Sequence, residues 1–105
     1  MRTKASISHD AVMVQMLRKD PRFAREYLRA ALEDSDDPRG LLIALRHLAE
    51  ASGGMAKIAK KAGLERESLY RALSAHGNPR FSTLLAVTRA MGLMISLEPA
   101  HASRN

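Results

Sequence analysis

Arg66, Glu67, Ser68 and Arg71 set two guanidiniums, a carboxylate and a hydroxyl close together, with Glu67 and Arg71 about one helical turn apart. Each guanidinium can donate a bidentate pair to guanine O6 and N7, the carboxylate can accept from cytosine N4, and the small hydroxyl can bond base or phosphate. These are the groups with which a helix reads base edges in the major groove of double-stranded DNA. Upstream, Lys57, Lys60 and Lys61 are suited to phosphates, because such contacts position a module without specifying sequence. Arg80 opens a later helical pattern, where it can clamp another phosphate. Asn78 either joins it or only forms the turn. Tyr70 also has two readings: a hydroxyl that reaches backbone or phosphate, or an ordinary half-buried core aromatic.

Other chemistries lack their parts. His9, His47, His76 and His101 are far apart in sequence, and no cysteine or carboxylate cluster accompanies them as metal ligands. Ser68 and Arg71 resemble a nucleophile and its neighbour, but no general base goes with them. Gly53-Gly54 lacks the spacing and the following Lys-Ser/Thr of a phosphate-cradling loop. The expectation is a binding protein without metal or cofactor, not an enzyme.

These side chains need two short helices meeting at a corner. Met55 to Ala62 and Arg66 to Ser74 supply them, with Ile58, Ala59, Ala62, Leu64, Leu69, Ala72 and Leu73 as interior candidates. Ala59 is small enough to let the helices cross steeply. Gly63 suits the left-handed position after a helix, and Leu64 plugs the corner. Glu65 is a weak cap for the second helix, and its charge is unhelpful beside phosphates.

Three helices precede the corner. Ser8 can cap one from His9 to Lys19, with Val12, Met16 and Leu17 inward. Asp20-Pro21 starts the next, to Glu33, with Phe23, Ala24, Tyr27, Leu28, Ala31 and Leu32 on one stripe. After an acidic turn, Asp37-Pro38 starts a third, which ends near Ala51. Beyond His76-Gly77-Asn78-Pro79, a strong turn signal, Ser82 or Asn78 can cap a helix from about Arg80 to Met91. Leu93 to Glu98 is partly alternating and predicts one short β-strand, with Leu93, Ile95 and Leu97 on a face. It needs an edge partner, another copy or another protein, unless it is an extended tail packed on the helices. The expected fold is all-α: a helical extension over residues 1–37, a helix-turn-helix unit with that strand over 38–99, and a flexible tail over 100–105.

Charge points the same way. Lys57, Lys60, Lys61, Arg66, Arg71, Arg80 and Arg89 against Glu65 and Glu67 put +5 of the chain's net +6 in residues 54–90. So localised an excess suits a polyanion. Arg46 and Arg89 read as ordinary surface charges. The absence of cysteine fits a reducing compartment. No apolar run approaches the about 20 residues of a membrane span, and Met1 to Asp10 lacks a secretion signal's apolar core. A cytoplasmic location, with no membrane partner, is expected.

With these residues in view, the chain resembles the probable addiction-module antidote proteins, HigA-like antitoxins and prophage-type regulators with a lambda-repressor-like helix-turn-helix. The resemblance rests on Tyr27 to Glu33, Gly63 to Leu73 and Gly77 to Leu85, and continues through Gly92-Leu93 and Ser96 to Pro99. It implies a small cytoplasmic DNA-binding protein, often encoded beside a RelE-like toxin ribonuclease, that neutralises the toxin and represses the shared operon. The family usually has Ser where Glu65 stands, and the broader group a polar residue where Met55 stands. Both departures bear on operator sequence and affinity more than on fold. The expected function is a homodimeric repressor with antitoxin activity, its toxin contact outside the reading helix, on residues 9–37 or the 93–98 edge. The alternatives are an orphan regulator of prophage origin without a toxin, and a protein-interaction module whose basic face is incidental.

Overall fold

The computed structural model describes residues 9–33 and 36–100. Ser8 as a cap, His101, the tail over 101–105 and two residues of the acidic turn, Asp34 and Ser35, lie outside them. The described residues form α1 (His9–Lys19), α2 (Pro21–Glu33), α3 (Pro38–Ala51), α4 (Met55–Ala62), α5 (Arg66–Ala72) and α6 (Phe81–Ala90). The two Asp-Pro pairs set sharp boundaries. Asp20 closes α1, its N–H bonding Met16 O at 3.1 Å. Its carboxylate then accepts from the N–H groups of Arg22 and Phe23 at the start of α2. Asp37 is the N-cap of α3, accepting from Arg39 N–H at 3.0 Å, with Pro38 behind it where a missing N–H costs nothing.

α3 is the shared element. Leu42, Leu45 and Ala49 on one face join Met55, Ile58 and Ala59 of α4, Leu69 of α5, Leu73 just after it and Val87 of α6 in one buried core. Met55, Ile58, Leu69, Leu73 and Val87 are its largest fully buried side chains, each worth roughly 1.5–3 kcal/mol of burial. α1 and α2 pack against α3, which also buries Ala44, His47 and Leu48. His47 ties that packing together. Its Nε2 lies 2.8 Å from Asp10 Oδ1 of α1, and its Nδ1 2.6 Å from the Tyr27 hydroxyl of α2. A carboxylate only accepts, so Nε2 carries hydrogen; with the hydrogen there, Nδ1 accepts from the Tyr27 hydroxyl.

Four expectations need correction. There is no β-strand among the described residues, so Leu93 to Glu98 is not one. The segment leaves α6 through Gly92, with Leu93 N–H bonded to Thr88 O at 2.8 Å, and finds no extended neighbour to complete a ladder. Nor do Leu93, Ile95 and Leu97 share a covered face: Leu97 is 94% exposed. Second, α1 presents a different side. Leu17 is buried but Val12 and Met16 are exposed, because the face that reaches α3 is the one that carries Asp10 to His47. Third, α5 stops at Ala72 rather than Ser74. The Ser74 hydroxyl takes the Arg71 carbonyl at 2.9 Å, offering it an alternative to another helical turn. Gly77 then closes so tightly that a Cβ there would stand 2.6 Å from Arg71 O. Fourth, neither Asn78 nor Ser82 caps α6. Arg80 occupies the N-cap without a side-chain bond, which leaves Ser82 inside the first turn and Asn78 two residues early.

Candidate nucleic-acid interface

The corner between α4 and α5 is built by backbone geometry. Gly63 has φ +76°, the left-handed region, where a Cβ is costly. Its N–H bonds Lys60 O at 3.2 Å and the Leu64 N–H bonds Ala59 O at 2.9 Å, closing the last turn of α4. Leu64 packs half-buried against the core, and α5 begins after only Leu64 and Glu65. Ala59 is 2% exposed in the core shared with Leu69 and Leu73, so the two helices meet where a side chain is a single methyl. Glu65 stands at the N-cap of α5 with extended backbone and no side-chain cap bond, as expected of a side chain too long for the role.

On this frame Arg66, Glu67 and Arg71 of α5 are exposed and Ser68 is half-buried. Lys57, Lys60 and Lys61 of α4 are exposed, as are Asn78 and Arg80 between α5 and α6. They do not form one continuous cluster. Glu65, Arg66, Glu67 and Tyr70 line one concavity. Lys61 lines another with Arg89, between α4 and the end of α6. Lys57 lays its stem toward Gly53 at the α3–α4 turn.

Tyr70 is half-buried, its ring packed against the core. Two guanidiniums lie over that ring: Arg66 Cζ at 5.8 Å from its centroid and Arg46 Cζ at 5.2 Å. Arg46 comes from α3, outside the two-helix corner. Sequence reasoning passed over it, and no periodicity links position 46 to position 70.

The electrostatics divide along the chain. Among the described residues Asp37 forms an ion pair with Arg39 and Asp10 a hydrogen bond with His47, both contacts within the segment of the first three helices. Arg39 beside Asp37, together with the Arg39 backbone N–H, holds the Asp37 carboxyl below the usual carboxylate range. None of the cations over residues 54–90 is in an ion pair, and neither Glu65 nor Glu67 neutralises one. Unpaired guanidiniums and ammoniums keep their donors for an external anion. The described residues hold no group of three or more His, Cys, Asp or Glu able to bind a metal ion. No described helix is long and apolar enough to cross a membrane.

Residues 9–99 match the family described as probable addiction module antidote protein. A relative from Haemophilus influenzae, an uncharacterized protein, is 40% identical over 72 residues, which is 69% of this chain and 72% of the relative. No solved structure matches the chain.

Proposed function

Since the chain belongs to the probable addiction module antidote family, an antitoxin group and not an enzyme family, we propose that it is the antitoxin of a type II toxin–antitoxin module and represses its own operon by binding DNA. One observation carries the DNA part: the α4–Gly63–α5 corner holds Arg66, Glu67 and Arg71 exposed on a helix beside cations that no carboxylate pairs. In this reading α5 enters the major groove, where Arg66, Glu67, Ser68 and Arg71 meet base edges. Lys57, Lys60, Lys61, Asn78 and Arg80 meet the phosphate backbone. A homodimer places two copies of α5 on half-sites about one helical turn apart, and repression is occlusion of the promoter. Residues 38–99 form the DNA-reading unit, with the N-terminal extension buttressing α3. The toxin, of RelE-like class and encoded beside this chain, docks outside α5. The protein acts in the cytoplasm.

A footprint on the DNA upstream of its own gene, with protein purified together with any adjacent gene product, tests the whole reading. The expected result is two protected half-sites about one turn apart, with protection altered by the partner. Equal binding to operator and scrambled duplex would reject it.

A further inference from the structure

The geometry points to a role for the Tyr70 ring as a shared platform: it holds Arg66 of α5 toward the bases and Arg46 of α3 toward a phosphate, which makes Tyr70 a positioning residue and Arg46 a DNA contact. The inference rests on the DNA-binding reading above. Three observations support it. Both guanidinium carbons lie within the about 6 Å over which an aromatic face attracts a cation. The ring is itself fixed, because Tyr70 packs on the buried core. Arg46 and Arg66 are exposed, and among the described residues neither is in an ion pair.

A guanidinium held by a ring face uses none of its N–H donors on that contact, while losing beforehand much of the rotamer freedom a long side chain would lose on binding. Glu65 and Glu67 line the same concavity as Arg66 and Tyr70, yet neither forms an ion pair with Arg46 or Arg66, so both guanidiniums keep their charge for an external anion. A phosphate oxygen accepts a charge-assisted hydrogen bond from Arg46, while Arg66 meets a base edge. Arg46 therefore extends the contact surface from the two-helix corner onto α3. The ring face, not the hydroxyl, is what Tyr70 supplies.

Binding of the full chain to its own upstream duplex and to a scrambled duplex, across a salt series, provides the test. Arg46→Gln should weaken both duplexes equally and lower the slope of log affinity against log salt by about 0.9, the value for one phosphate. An unchanged slope would overturn its role. Tyr70→Phe should bind as the wild type does. Lower affinity with a smaller slope would assign the hydroxyl to the phosphate and overturn the platform. Tyr70→Leu should lose slope as Arg46→Gln does, and also lose about tenfold preference at one base pair, as Arg66→Ala does. Retained preference would overturn the positioning role.

The platform has a DNA-free readout that stands even if Tyr70→Leu folds poorly. In the free wild-type protein, the Cδ protons of Arg46 and Arg66 should be shifted upfield by the ring current. Absent shifts with intact operator preference would overturn the platform alone. Intact shifts with no operator preference would overturn the DNA reading, and Arg46's phosphate contact with it.

Discussion

The Tyr27 hydroxyl lies 2.6 Å from His47 Nδ1, and this contact fastens α2 to α3, the helix that shares its core with α4, α5 and α6. His47 is 7% exposed, so Tyr27→Phe leaves a ring nitrogen unpartnered in a dry place. The expected cost is about 1–2 kcal/mol, read as a lower denaturant midpoint at unchanged slope. Burial first, and then the Asp10 charge, raise the Tyr27 pKa above its ordinary 10.0. A raised pKa means the folded chain holds the proton longer. The stability it contributes is present below pH 10 and is lost as pH climbs through the folded value. Lysines titrate in the same region, so the comparison that counts is with Tyr27→Phe. Its stability should fall less steeply above pH 10, and an identical fall in both proteins would disprove the linkage.

The α4–α5 corner should respond differently to two single methyl-scale changes. At Gly63 a Cβ meets nothing within 4 Å, so Gly63→Ala costs only backbone strain, about 1–2 kcal/mol, and Gly63→Asn less. At Ala59 the backbone is ordinary helix and the space is full. Ala59→Leu should cost about 1–3 kcal/mol by overpacking and should push α5 away from α4. Thermal melts separate the energies. Operator binding separates the geometry: it should survive Gly63→Ala in whatever fraction remains folded and be lost in folded Ala59→Leu.

What was legible in the sequence was local. Asp20-Pro21 and Asp37-Pro38 fix helix starts because cap and proline act within three residues, and Gly63 fixes a corner because left-handed backbone is a single-residue property. What was not legible depends on partners distant in sequence. Leu93 to Glu98 has strand-like residues, but a strand exists only with a neighbour, and none is present among the described residues. The inward side of α1 was misassigned because Val12 and Met16 are apolar, while a polar contact 37 positions away, Asp10 to His47, sets the rotation. Arg46 read as a surface charge for the same reason, since its ring partner lies on another helix. Arg66, Glu67, Ser68 and Arg71 could be offered as base readers from residue type and spacing, but the meeting of Arg66 and Arg46 at the Tyr70 ring could not.

Glu65→Ser should stabilise the chain and tighten its hold on DNA. Glu65 sits at the N-cap without giving α5 a side-chain bond. A serine hydroxyl there can accept from an orphan N–H of the first turn, worth about 0.5–1 kcal/mol. The substitution also removes a negative charge beside Arg66. Non-specific affinity should rise with it, measured on scrambled duplex at low salt, whereas a higher melting point with unchanged DNA affinity would place Glu65 away from the phosphates.

Arg66→Ala and Lys61→Ala divide base reading from backbone holding. Arg66 is exposed on the first turn of α5, so its loss should cost about 1–3 kcal/mol of discrimination at one base pair. Its effect on scrambled DNA should be smaller. Lys61 is exposed on the last turn of α4, where an ammonium can meet a phosphate but its flexible stem carries no base preference. Lys61→Ala should therefore weaken operator and scrambled duplex by the same factor and reduce the salt slope by about 0.9. Competition titrations with operators altered one base pair at a time give both quantities. If Lys61→Ala changed preference at a base while Arg66→Ala changed only the salt slope, the roles of α4 and α5 would have to be exchanged.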